Sequence, residues 1–385
     1  MITRTGAGPD LFTVPPGTVS LAGGMPALGT LPWPEIAAAT GATLELAGPT
    51  VLQYGRPVVG STLARRIRDL LALQGADVDA AELIPTAGSQ MGLCVVAAVL
   101  GRDADTVLCE APSYPGALAA FRDRGLEPVA VPADADGVDP DAVAGLVRRR
   151  RTAFLYVNPT FHNPTGRVMP QQRRRDLLAA CAAVDLPVVE DDPYGLLSFD
   201  GHLHTSLLAL AGPGGDVIHL GTASKIFAPG LRVGWIAAPA HRRSALAAQA
   251  DLMSLSPSVF AQGVVADFLA GPSWPAQLDV FRREYRERAE IADGALRSAG
   301  AERLWRWERP RGGFYLWLTA RAGGVDAEAV AERARRAGVL VVPGRHFSVA
   351  GESDDGLRLC FTGPRRAQLA PAVERLGAVL AEAGA

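Results

Sequence analysis

From residue 61 to residue 238 two apolar patterns take turns along the chain. The first recurs at helical spacing. In STLARRIRDLLALQG (61–75), Leu63, Ile67, Leu70 and Leu71 fall on one face, with Ser61 placed to cap the helix and Gly75 to end it. The second is a short unbroken apolar run, as in TVLCE (106–110), EPVAVP (127–132), TAFLYVN (152–158), PVVED (187–191), VIHLG (217–221) and RVGWIAA (232–238). Helical segments stand between several of these runs: GALAAFRDRG (116–125), PDAVAGLVRRRR (140–151) and PQQRRRDLLAACAAVD (170–185), the last opening on Pro170, a favoured first-turn residue. Strands without polar alternation have both faces covered, so the pattern predicts an α/β fold built on a mostly parallel sheet between helices. In such sheets ligands bind beyond the carboxyl ends of the strands.

Beyond residue 238 the style changes. A long helical stretch is predicted over roughly 258–298, with FRREYRERAE (281–290) as a solvated face. In the tail, RGGFYLWL (311–318) alternates like a strand, DAEAVAERARRAG (326–338) is a helix, VLVVPG (339–344) and GLRLCFTG (356–363) are strands, and the last segment is a helix. Residues 1–34 are rich in Gly and Pro and predict an irregular arm. The expected division is an arm with part of a small domain (1–45), a large domain (46–290) and a C-terminal small α+β domain (291–385).

Composition narrows the function classes. Hydrophobic residues make up 48% and charged residues 20%, which suits a globular chain with a substantial core. A net charge of −2 gives no electrostatic case for nucleic acid or an anionic membrane. No run of 18 apolar residues exists and the first residues lack an apolar leader core, so neither a membrane helix nor a secretory signal is expected. Cys94, Cys109, Cys181 and Cys360 are far apart, in apolar settings and at no metal-ligand spacing. They predict reduced, buried thiols, no metal site and a cytoplasmic location. The run Arg148–Arg151 is expected to be a solvated helix end.

Polar groups gather where the apolar runs stop. TAGSQMGLCVV (86–96) opens an apolar helix on a small turn. Its free N–H groups with Ser89 and Gln90 suit an anion, although a serine there also serves as a plain cap. EAPSYPGAL (110–118) sets Tyr114 among small residues, to pack on the core or to stack on a flat ligand. NPTFHNPTG (158–166) presents two Asn-Pro turns. EDDPYG (190–195) ends a buried strand in acids, which is costly unless a positive group such as a protonated pyridine nitrogen meets them. GTASKIFAPGLRVGW (221–235) holds the hydroxyls of Thr222 and Ser224, the guanidinium of Arg232, and Lys225 among apolar and turn residues. A lysine there is either an ordinary surface residue or one desolvated enough to be nucleophilic. A phosphate cradle, a stacking tyrosine, an amide, an aspartate and a lysine together match the needs of pyridoxal 5′-phosphate.

The order and spacing of these motifs resemble the fold-type I pyridoxal-phosphate-dependent aminotransferases of class I/II, more narrowly the branch of 2-aminoadipate, kynurenine and aromatic aminotransferases. The matching motifs run from about residue 54 to 362, and Lys225 followed by PGLRVGW is the most specific of them. The resemblance implies a large domain with a mostly parallel seven-stranded sheet and a smaller α+β domain. It implies that Lys225 holds the cofactor as a Schiff base and moves the substrate's α-proton. By the same likeness Asp191 pairs with the pyridine nitrogen, Tyr194 and Asn163 contact the phenolic oxygen, and Tyr114 stacks on the ring. Ser89, Gln90, Thr222 and Arg232, with Ser224 beside them, hold the phosphate. Tyr54, in LQYGRPVVG (52–60), reaches the phosphate of a neighbouring subunit, which implies a homodimer. Arg358 clamps the substrate's α-carboxylate, and Gly24, in AGGMP (22–26), lines the entrance.

The implied reaction is ping-pong transfer of an amino group between a 2-amino acid and a 2-oxo acid. The branch points to a bulky, aromatic, long-chain or specialised natural-product amino acid. Three departures stand out. Thr222 replaces a common serine but keeps its hydroxyl. His162 stands where glutamine is common, as a turn residue or a substrate contact. The glycine after Tyr54 comes one position late, so that Arg56 and its turn shape the side-chain pocket. Oxidases, cyclases and β-lyases share this fold, and the cofactor site alone does not exclude them. A transcription regulator with this fold behind a winged helix is disfavoured by the short arm before AGGMP and by the charge.

Overall fold

The computed structural model describes residues 14–55, 61–351 and 355–382; Arg56 and the rest of its turn, 56–60, lie outside them. All six apolar runs are strands of one seven-stranded sheet. Across it the order is Leu83–Thr86, Gly234–Ala237, Val217–Thr222, Val188–Asp191, Thr152–Val157, Thr106–Cys109 and Glu127–Ala130. Along each central strand, neighbouring side chains go to opposite apolar clusters. Val107, Phe154, Val189 and Ile218 pack on one face, and Leu108, Leu155, Val188 and Val217 on the other. Burial on both faces is why these runs show no polar alternation.

One strand, Gly234–Ala237, runs antiparallel to both neighbours, with Gly234 opposite Thr222 on one side and Thr86 on the other. The other recorded pairings in the sheet are parallel. The start of this reversed strand therefore lies at the edge where its neighbours end. That topology brings the Arg232 turn beside the turn after Thr86 and the lysine turn after Thr222.

A four-stranded sheet forms from Trp305–Arg306, Tyr315–Ala320, Gly356–Cys360 and Val342–Pro343, in that order. The described part of the arm is less irregular than expected. Val19–Ser20 pairs in parallel with Val339–Leu340, and Leu21 O accepts from Cys360 N at 2.7 Å. Those bonds carry Gly23–Met25 to the carboxyl edge of the large sheet.

Other elements differ from expectation in detail. The 258–298 stretch is two helices, Val259–Ala270 and Trp274–Ser298, separated around Gly271; the second runs unbroken through residue 290. Pro170 is the cap of Gln171–Ala182 rather than its first helical residue. VLVVPG divides into Val339–Leu340 and Val342–Pro343. The helix Pro140–Val147 ends before the arginine run, in which Arg150 and Arg151 pair with Glu127 and Asp105 at 2.7 and 2.8 Å. A helix over Trp33–Ala47 was not expected; it buries only Ala39 and Thr43 and has no clear apolar stripe. The four cysteines are free thiols, three of them buried. Among the described residues no single helix is long and apolar enough to cross a membrane.

Candidate active site

The carboxyl edge of the sheet surrounds a cavity of about 570 Å³. Ser89, Gln90, Tyr114, Asn163, Asp191, Tyr194, Thr222, Ser224, Lys225, Arg232, Arg358 and Gly24 all line it. Tyr54 does not; it is 81% exposed, outside the cavity of its own chain.

The helix Ser89–Leu100 begins after Gly88, and no side chain caps it, so Ser89 is not the cap that its residue type suggests. Gly88 has φ +84°, and a Cβ there would lie 2.4 Å from the Arg232 guanidinium. Glycine is required for both reasons: the backbone is left-handed, and the arginine closes on the helix start. Arg232 donates to Ala87 O at 3.1 Å. Thr222 Oγ1 lies 2.9 Å from Ser224 Oγ and accepts from Ser224 N. Hydroxyls, a guanidinium and an open helix N-terminus thus face one end of the cavity, a cradle suited to a phosphate dianion.

Two adjacent carboxylates have different environments. Asp192 turns away from the cavity and accepts from Gln74 Nε2 (2.5 Å) and Gly195 N (2.8 Å). Asp191 faces the cavity: Oδ2 accepts from the Tyr156 hydroxyl at 2.7 Å, while Oδ1 is buried without a partner. Burial pushes the Asp191 carboxyl up to about 6. An unpaired buried carboxylate oxygen is expensive, and a cationic ring N–H is the type of group that satisfies it.

Lys225 follows the Val217–Thr222 strand and donates to Gly24 O at 2.7 Å, with its ammonium 5.6 Å from the centre of the Phe314 ring. Burial lowers its amine to about 8. Tyr114 lies over Gly116, where a Cβ would come within 2.5 Å of the ring, and its hydroxyl donates to Gln90 Oε1 at 3.3 Å. Gln90 in turn donates to Gly116 O at 2.8 Å, so the amide that holds the hydroxyl is itself anchored.

Arg358 reaches the cavity from the Gly356–Cys360 strand. It donates to Asn163 Oδ1 (2.7 Å) and Ala22 O (2.5 Å), and its guanidinium lies between the rings of Tyr315 and Phe347, at 4.4 and 4.8 Å. Its Nε is buried without a partner. His162 does not line the cavity: Nδ1 meets Thr165 Oγ1 at 2.8 Å, Nε2 faces Glu110 at 3.5 Å, and burial lowers its pKa to about 3. Buried among Thr165 and Glu110 and outside the cavity lining, it stands as a turn residue in this chain.

Three residues of the site were not singled out by the sequence. Asn158, within the first Asn-Pro turn, donates to Asp191 O (2.5 Å) and accepts from Asn163 N (2.7 Å), tying two strand ends together. Tyr156 holds Asp191. Tyr315 lines the cavity and sits 3.1 Å, hydroxyl to hydroxyl, from Tyr194. The two tyrosines lie inside strand patterns, where Tyr is an ordinary strand former.

The sheet order and this strand-end cavity are those of a fold-type I pyridoxal-phosphate enzyme, and the orphaned Asp191 oxygen, the Gly88–Arg232 cradle and the buried lysine fit that cofactor. The chain belongs to the aminotransferase class I and II family, whose model matches residues 18–376. It is 36% identical over 371 residues to a 2-aminoadipate transaminase of Thermus thermophilus, covering 96% of this chain and 91% of the relative. It is 32% identical over 374 residues to aromatic-amino-acid aminotransferase 1 of Thermococcus litoralis, covering 94% and 88%. Its structure is similar to that of an alpha-aminoadipate aminotransferase, also from Thermus thermophilus, complexed with N-(5′-phosphopyridoxyl)-L-leucine, with a TM-score of 0.88, 35% identity and coverage of 95% and 92%. The chain is a pyridoxal-phosphate-dependent aminotransferase.

Proposed function

We propose that this aminotransferase works as a cytoplasmic homodimer on a bulky, aromatic, long-chain or specialised natural-product 2-amino acid, passing its amino group to a 2-oxo acid by a ping-pong mechanism. The carrying observation is the pairing in one cavity of Lys225 with Asp191, whose inner oxygen has no partner. When bound, the cofactor supplies an aldehyde that takes up an amine and a ring that accepts the electrons left at the α-carbon. Asp191 Oδ1, buried without a partner, would keep the ring nitrogen protonated. Lys225, with an amine near 8, has a neutral fraction at ordinary pH; its Nζ takes the α-proton and returns one in the second half-reaction. Arg358, already oriented by Asn163, Ala22 and two aromatic faces, binds the α-carboxylate without further ordering. Tyr114 would provide the ring platform, Tyr194 and Asn163 would meet the phenolic oxygen, and Ser89, Gln90, Thr222, Ser224 and Arg232 would hold the phosphate. Tyr54 completes the neighbouring site. The three-part division at 45/46 and 290/291 belongs to this reading, with Trp274–Ser298 as the helix joining large and small domains.

Substrate choice follows from charge and space. The cationic side chains among the described lining residues are Lys225, Arg232 and Arg358, and each has a role. Gly23, Gly24 and Met25 leave an uncharged rim for the side chain. A panel of amino donors and 2-oxo acids, followed by the cofactor's absorbance, tests this. A bulky donor should convert the cofactor to its amine form far better than aspartate, with one equivalent of new amino acid per oxo-acid product. Aspartate as the best donor overturns the substrate class; an oxo or cyclised product without matching amino-acid formation points to an oxidase, cyclase or lyase outcome.

A further inference from the structure

Tyr315 begins the Tyr315–Ala320 strand and is 3% exposed. A phenylalanine would fill the same core, so the hydroxyl needs its own account. It occupies space that the arm leaves for it: a Cβ on Gly24 would lie 2.0 Å from Tyr315 Oη. The same Gly24 accepts from Lys225 through its carbonyl at 2.7 Å. The arm glycine, the lysine and this hydroxyl are therefore set together.

The hydroxyl's partner is Tyr194 Oη at 3.1 Å. Each phenol has one proton, and the bond between them uses one of the two. Tyr194 can present its own proton to the cavity only when Tyr315 is the donor within the pair. The Arg358 guanidinium, 4.4 Å over the Tyr315 ring, sets that direction by favouring negative charge on the Tyr315 oxygen and strengthening it as a donor. The ring meanwhile forms one wall of the slot that holds Arg358, with Phe347 as the other at 4.8 Å.

We propose that Tyr315 is a positioning residue with two separable parts: its ring aims Arg358 at the substrate carboxylate, and its hydroxyl donates to Tyr194, which polarises Tyr194 and strengthens the proton it presents to the cavity. This rests on the roles given above to Tyr194 and Arg358.

Tyr315→Phe and Tyr315→Leu in the holoenzyme separate the two parts. The readouts are the pH midpoint of the bound cofactor's visible absorbance, kcat, and inhibition by 3-phenylpropionate, a carboxylate with no amine to transfer. In Tyr315→Phe the Tyr194 proton still points into the cavity but is no longer polarised by a donated bond, and this weaker donor stabilises the deprotonated phenolic oxygen less, so the midpoint should rise by about half a pH unit. In the same variant kcat should fall about fivefold while inhibition stays within about twofold. Tyr315→Leu should in addition weaken 3-phenylpropionate by about tenfold. An unchanged midpoint in Tyr315→Phe overturns the hydroxyl part, and unchanged inhibition in Tyr315→Leu overturns the ring part. Wild-type protein that takes up no pyridoxal phosphate overturns the cofactor reading itself, so the two failures are distinct.

Discussion

The floor of the cavity and its rim are built on opposite principles. On the floor Asp191, Asn163, Thr222 and Arg358 are almost fully buried, and each is hydrogen-bonded within the same chain, to Tyr156, Asn158, Val233 O and Asn163 respectively. The rim is represented by exposed positions outside the cavity: Leu28, Trp33, Leu52, Tyr54, Leu252 and Leu255 are apolar or aromatic and largely exposed. The floor is complete within one chain. The rim leaves large side chains in water, a pattern that marks an interaction surface, and the proposed second copy covers it. The difference teaches that the cavity's polar floor is assembled within one chain, whereas the proposed dimer is what would give the exposed apolar positions a role.

The largest expected effect breaks the floor. Lys225→Ala should lower turnover by at least about a thousandfold, since it removes both the covalent anchor and the base. Cofactor binding should persist in weakened form through the phosphate cradle and Asp191, visible by equilibrium dialysis. Near-normal turnover would end the aminotransferase assignment of this lysine.

Asp191→Asn comes next. The neutral amide keeps the Tyr156 contact but no longer holds a ring nitrogen protonated, so turnover should fall on the order of a hundredfold with cofactor retained. Asp192→Asn is the control, because Asp192 bonds Gln74 and Gly195 away from the cavity. If Asp192→Asn proves the more damaging to the cofactor's absorbance, the two carboxylates have been assigned the wrong way round.

The rim is tested by mixing. A Tyr54→Ala chain and a Lys225→Ala chain, each nearly inactive alone, form hybrid dimers in which one of two sites is intact. Random exchange then predicts recovery of about a quarter of wild-type activity per chain. No recovery after exchange has been verified by mass-tagged subunits, or a monomer by sedimentation, would confine Tyr54 to its own surface.

Legibility follows the same divide. Several cavity residues were readable because they stand at or just beyond the end of an unbroken apolar run, where a polar residue has no packing reason to be. Asp191, Thr222 and Lys225 are of this kind. Asn163 and Arg358, the latter inside the Gly356–Cys360 strand, were reached only through the family resemblance. Tyr156 and Tyr315 were hidden because they sit inside the runs. Whether a strand tyrosine faces a carboxylate or plain core is decided by sheet register, here Tyr156 beside Val189 in the neighbouring strand, with Asp191 two residues on. The seventh strand, Leu83–Thr86, is four residues long and merged with the turn before Ser89. The Trp33–Ala47 helix escaped because a helix that buries only two side chains has no stripe to show. Under the proposed dimer, rim and helix share one cause: their apolar positions would face a second copy, and the pattern along one chain does not show which of its residues meet that copy.

Tyr156→Phe is the smallest effect, and it probes whether the floor works as a set of paired bonds. The Tyr156 hydroxyl donates to Asp191 Oδ2 at 2.7 Å and so favours the ionised carboxylate. Burial has already raised this carboxyl to about 6, and loss of the donor raises it further. An ionised Asp191 is the form that keeps a ring nitrogen protonated, so the acid limb of the pH–rate profile should move to higher pH. A bond to a charged acceptor contributes about 1.5–3 kcal/mol when intact, part of which water or local rearrangement recovers. The ring cation itself lowers this carboxyl in the loaded enzyme, so the effect is read as a difference between the two proteins: turnover of Tyr156→Phe should drop about tenfold relative to wild type on the acid limb and less than about twofold on the plateau above it, where the carboxyl is ionised in both. A uniform loss across limb and plateau would mean that Tyr156 only supports packing. An unshifted acid limb with full activity would mean that the burial of Asp191, and not its partner, governs its charge.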